Sequence, residues 1–96
     1  MLFVLYCRDK HDSLALRLAN RASHLDYARA DGRLRMAGPM LGDDGETMIG
    51  SLFVIAADDL DAARAFNSND PYTLAGLWQS VAVHPFRWLL PTAVSG

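Results

Sequence analysis

A chain of 96 residues has room for one domain with one core, and at this size folding removes only roughly 60–65% of the surface an unfolded chain exposes. Hydrophobic residues make up 51% and charged residues 21%, an ordinary globular composition. A net charge of −2, with nine Lys and Arg that form no run, argues against a nucleic-acid partner.

The lone cysteine, Cys7, sits in an apolar stretch, so no intramolecular disulfide is possible and a reducing compartment is expected. The apolar start MLFVLYC lacks the basic region and length of a signal peptide, and no apolar run approaches the roughly 20 residues that span a bilayer. These features lead us to expect a cytoplasmic protein with no membrane partner.

Residues 2–7 (LFVLYC) read as a strand buried on both faces, ended by Arg8-Asp9-Lys10. Over residues 13–30 the spacing of Leu14, Leu18, Leu25 and Ala28 predicts an amphipathic helix, closed by Asp31-Gly32. Ser23 with Asp26 resembles a capping box, so the same stretch also reads as two pieces, the second starting at His24. Residues 33–41 form a strand that Gly38-Pro39 directs to an edge or a bulge. After the Asp43-Asp44-Gly45 turn, residues 46–56 return antiparallel. Asp58 or Asp59 then caps a helix running to about Asn67, with Leu60, Ala63 and Phe66 on one face. Asn69-Asp70-Pro71-Tyr72 starts a short turn or helix, because Asp suits the cap and Pro the first helical position. Residues 78–86 are the last strand, and the tail from Trp88 is expected to pack loosely.

The order strand, helix, strand, strand, helix, strand is the ferredoxin-like βαββαβ pattern, an α+β fold with a four-stranded antiparallel sheet and both helices on one face. Such a sheet should show polar residues on its uncovered face, yet Leu2, Val4 and Tyr6 oppose Phe3, Leu5 and Cys7 across the first strand. The economical cover for a second apolar face is a second copy, giving a homodimeric α+β barrel; the alternative cover is the tail with Trp88, Leu89 and Leu90.

Several local phrases fall in a characteristic order: Arg21 then His24-Leu25, Gly38-Pro39, Gly50-Ser51, Asp70-Pro71-Tyr72, Ala75-Gly76, and Val83 with Pro85-Phe86. Together they resemble the YciI-like (YCII-related) family from Met1 to about Trp88. The resemblance implies a dimeric α+β barrel with an active site built around a His and an Asp, here His24 and Asp70, with Ser51 and Tyr72 beside them. Typical members carry proline after the arginine, where this chain has Ala22 after Arg21. Some members of the family act in the breakdown of chlorinated aromatic compounds, and similar barrels include lactone isomerases and monooxygenases; fold alone transfers no substrate.

Read by their chemistry, the same residues fill distinct roles. If Ser23 caps a helix, His24 lies in its first turn, where the helix dipole favours a neutral imidazole able to accept a proton. Asp70 would orient that imidazole while capping its own helix. Ser51 shares strand parity with Ile49 and Phe53, so its hydroxyl needs a partner from backbone or ligand. Tyr72 is a candidate wall, and Arg21, three residues before His24, a candidate partner for an anionic substrate group.

No zinc spacing, phosphate-cradling glycine loop, nucleophile elbow or dinucleotide fingerprint occurs, so neither a metal nor a cofactor is expected. The leading expectation is therefore a small enzyme using a His24–Asp70 acid–base pair for proton transfer, elimination or isomerisation on a small molecule. The alternatives are a non-catalytic small-molecule-binding or regulatory dimer, and a purely structural dimerisation domain.

Overall fold

The computed structural model describes residues 1–94, in the order β1 (Leu2–Asp9), α1 (Leu14–Ala30), β2 (Leu34–Leu41), β3 (Met48–Ala56), α2 (Leu60–Ser68), α3 (Pro71–Leu74) and β4 (Trp78–Phe86). The four strands form one antiparallel sheet in the order β2-β3-β1-β4. This is the expected split βαβ topology. Gly38-Pro39 lies on the edge strand β2, where a missing N–H costs no ladder bond on the open side.

The two long helices serve different ends. Helix α2 starts at Asp59, whose carboxylate accepts from Ala62 N at 2.8 Å, and it sets Ala63 and Phe66 fully buried against the sheet. Phe3, Leu5, Cys7, Phe53, Ile55, Ala57, Ala63 and Phe66 form the core, all from β1, β3 and the segment just beyond it, and α2. Burial pushes the Cys7 thiol up to about 12, and Asn67 Nδ2 donates to its sulfur at 3.6 Å. Gly50 permits the close pairing of β3 with β1: a Cβ there would run into the Cys7 carbonyl and lie 2.6 Å from the Met40 methyl group.

Helix α1 is continuous from Leu14 to Ala30, which removes the two-piece reading and places His24 well inside the helix, away from its N-terminal dipole. Its buried face also differs from the expected one. Leu14 and Leu18 are 43% and 53% exposed, whereas Arg17, His24 and Ala28 are buried. The leucine spacing is helical, but the stripe that meets the protein is polar, because α1 roofs a cavity above β2 and β3. Tyr27 ties α1 to α2, donating its hydroxyl to Phe66 O at 2.8 Å.

On the other face of the sheet, Tyr6 and Phe86 are 41% exposed, while Leu2 and Val54 are buried. The tail lies at the surface, with Leu89 and Leu90 57% and 80% exposed. Trp88 pairs with Val94 and donates Nε1–H to Leu90 O at 2.9 Å, and Trp88, Leu89 and Leu90 border a groove with Met36, Val54 and Phe86. Residues 95–96 of the expected loose tail lie outside the described residues. Among the described residues no helix is long and apolar enough to cross a membrane.

Candidate active site

The site begins with a helix cap. Asp70 precedes Pro71 and accepts from Tyr72 N at 2.8 Å, satisfying one of the free donors that start α3. Its carboxylate is completely buried, and its second partner is His24 Nδ1, at 2.8 Å and 3.0 Å from the two oxygens. Residues 46 apart in the chain are thus in direct contact, and the cap and the His partner are the same group. With a carboxylate at Nδ1, the neutral ring carries its proton there and leaves Nε2 bare. Nε2 makes no hydrogen bond, yet no enclosed side-chain nitrogen or oxygen lacks a partner among the described residues, so Nε2 is open to the adjoining cavity.

Two aromatic rings fix the imidazole plane. Tyr72 stacks on it at 4.0 Å with 14° between planes, and Phe53 meets it edge-on at 5.7 Å. Burial pushes the Tyr72 phenol above its ordinary value, opposed by the charges of Arg17 and Arg21.

The cavity is about 280 Å³, bounded by α1, β2, β3 and Tyr72. It admits a molecule of about one ring; drug-sized sites start at roughly 300 Å³. Leu25, Ala28, Leu34, Ala37 and Phe53 give it apolar walls, and His24, Ser51, Arg17, Arg21 and Arg29 give it polar groups. All five residues singled out from the sequence, His24, Asp70, Ser51, Tyr72 and Arg21, meet here, with Asp70 behind His24 and Arg21 at the exposed rim.

Two residues were not anticipated. Arg17 is only 3% exposed and is held by Asp9 through Nε to Oδ2 at 2.7 Å and Nη2 to Oδ1 at 2.9 Å. Burial lowers the guanidinium pKa and the Asp9 bonds raise it; the balance lies above the ordinary value. Arg17 Nη2 also donates to Ser51 Oγ at 2.9 Å, so the partner of the buried hydroxyl is a side chain, neither of the two expected. The guanidinium carbon lies 4.8 Å from the centre of the Tyr72 ring, which links the Arg17–Asp9 pair to the His24–Asp70 pair. The sequence did carry a signal: Arg17, Arg21, His24 and Ala28 recur at helical spacing. Among the described residues no group of three or more His, Cys, Asp or Glu is placed to hold a metal.

These features define an α+β domain of ferredoxin-like topology, with a His–carboxylate pair at the wall of a cavity sized for a small molecule. The chain belongs to the YCII-related family, whose model matches residues 1–87. It is 39% identical over 95 residues to Protein YciI of Escherichia coli O6:H1 and to that of Shigella flexneri, covering 91% of this chain and 97% of each relative. Among solved structures it is similar to 5-chloro-2-hydroxyhydroquinone dehydrochlorinase (TftG) of Burkholderia phenoliruptrix AC1100, in complex with 2,5-dihydroxybenzoquinone. That match has 35% identity and a TM-score of 0.81 over 90% of this chain and 93% of the other.

Proposed function

We propose that this protein is an acid–base enzyme acting on a small, oxygenated, single-ring molecule, with His24 as the proton carrier and Asp70 as its orienting partner. The observation that carries this reading is the His24 Nδ1–Asp70 bond at 2.8 Å, which turns the bare Nε2 toward a ring-sized cavity. Ser51, Tyr72 and Arg21 would bind and orient the ligand. The similarity to a dehydrochlorinase supports elimination as the reaction class. Loss of HCl from a chlorinated, hydroxylated ring requires one proton to move from oxygen to the chlorinated carbon. A second proton then leaves oxygen as chloride departs with the C–Cl electron pair. One imidazole that accepts a proton and returns it can perform the transfer and then accept the second. We further read the chain as a single domain over residues 1–96 that pairs as a homodimer through the sheet face bearing Tyr6 and Phe86.

The test is chloride release from 5-chloro-2-hydroxyhydroquinone and related chlorinated hydroxyquinols by the parent, His24→Gln and Asp70→Asn. Turnover by the parent and a loss of about 10²–10⁴-fold in His24→Gln are expected for a general acid–base residue. Equal turnover by parent and His24→Gln would overturn the assignment of the proton carrier.

A further inference from the structure

The arginines near the cavity are of two kinds. Arg17 and Arg33 are each held by a carboxylate, Asp9 at 2.7 Å and Asp31 at 2.7 Å. Arg21 and Arg29 form no ion pair among the described residues, and both line the cavity while remaining exposed. No Asp or Glu lines it with them, although the chain as a whole carries a net charge of −2. Two uncompensated cations therefore stand at the open side of the pocket, beside the apolar Leu25, Leu34 and Ala37.

Their spacing determines where an anion would sit. Arg21, Leu25 and Arg29 recur every fourth residue on α1, forming a stripe beside the buried one of Arg17, His24 and Ala28. The two cations thus bracket Leu25, about 12 Å apart along the helix axis. Across the mouth runs the edge strand β2, where a Cβ on Gly38 would meet nothing within 4 Å, so this side is open. Burial pushes the Tyr72 phenol up and the charges of Arg17 and Arg21 oppose it, so the field of Arg21 extends from the rim to the ring stacked on His24. Arg29 stands in the last turn of α1, where a cation also suits the helix dipole. Arg21, about two turns earlier, has no such reason to be there.

We propose that Arg21 and Arg29 form a carboxylate-binding mouth, and that the ligand is a single-ring carboxylic acid whose ring lies in the cavity and whose carboxylate is held at the rim. The proposal deepens the acid–base reading and rests on it for this cavity being the substrate's place. Held at the rim, the carboxylate would set which edge of the ring meets His24. The planar guanidinium fork matches a carboxylate. A phosphate would favour the N-terminal end of a helix, whereas this rim runs along the second half of α1 to its last turn. The apolar Leu25 between the two cations suits the edge of a ring better than a fully hydrated ion.

The test compares 2,5-dihydroxybenzoate with 2,5-dihydroxybenzamide, a neutral molecule of nearly the same shape, by isothermal titration calorimetry. At low salt the parent should bind the acid about tenfold or more tightly than the amide. The preference should shrink as salt rises to about 0.5 M, because the rim is exposed. The paired change Arg21→Gln with Arg29→Gln should abolish the preference by weakening the acid alone, with the amide held within about twofold of its parent affinity. Arg64→Gln on α2, outside the cavity lining, removes the same charge and should leave the preference intact. Equal binding of acid and amide by the parent, no binding of either, a preference that survives the paired change, or an equal loss in Arg64→Gln would overturn the mouth. His24→Gln separates the two readings, because it should abolish turnover yet keep the preference for acid over amide. If turnover instead survives in His24→Gln, the acid–base reading fails while the binding comparison still decides the mouth.

Discussion

Asp70 joins two elements through one carboxylate, so its replacement has a calculable cost. Asp70→Ala removes the cap that accepts from Tyr72 N, worth about 1 kcal/mol, and leaves His24 Nδ1–H buried without an acceptor, worth about 1–3 kcal/mol. The sum is a loss of about 2–4 kcal/mol, a large share of the stability of a domain this size. Asp70→Asn keeps a capping oxygen and an acceptor for the ring, losing only the charge, and should cost about 1 kcal/mol. Urea denaturation followed by circular dichroism at neutral pH separates the two, provided the slopes match the parent's. Asp70→Ala within about 0.5 kcal/mol of the parent would mean that the carboxylate is neither cap nor His partner. Equal losses in Ala and Asn would assign the whole effect to charge and refute the division proposed for it.

The core is concentrated under α2, so Phe66→Ala should destabilise by about 3–5 kcal/mol in the same assay, far more than Leu18→Ala on the exposed side of α1. Cys7 titrates near 12 in the folded chain because burial opposes its thiolate, whereas the unfolded thiol titrates near 9.0. Above 9.0 the unfolded state therefore binds fewer protons than the native state, and stability falls as pH rises toward 12; Cys7→Ala should flatten this slope. The same burial should keep Cys7 unreactive toward iodoacetamide at pH 8 until denaturant is added. Tyr6→Glu on the open sheet face should shift sedimentation toward the monomer; an unchanged parent-like dimer would move the interface elsewhere.

The fold was legible where pattern and chemistry agree locally. Residues 78–86 read as a strand and β4 spans Trp78–Phe86, and the Asp-Pro-Tyr cap predicted α3. The face of α1 was not legible from its leucines, because apolar spacing marks a core face only when the helix packs on a core. Here the helix roofs a cavity, and its buried stripe carries Arg17 and His24. Arg17 was missed because an arginine is ordinarily solvated. Its burial depends on Asp9, eight residues earlier, and on Ser51, 34 residues later, partners that only the folded sheet brings together. The His24–Asp70 pair was readable through the family resemblance, while the contact itself is a product of tertiary structure.

Acid–base work by His24 depends on which ring nitrogen holds the proton and what the other one faces. Long-range ¹H–¹⁵N correlation of the His24 ring, with and without 2,5-dihydroxybenzoquinone, reads both. A neutral ring protonated at Nδ1 is expected, with that preference lost in Asp70→Ala and a ligand-induced shift centred on Nε2. A ring protonated at Nε2, or one whose nitrogens ignore a ligand that binds, would contradict that role.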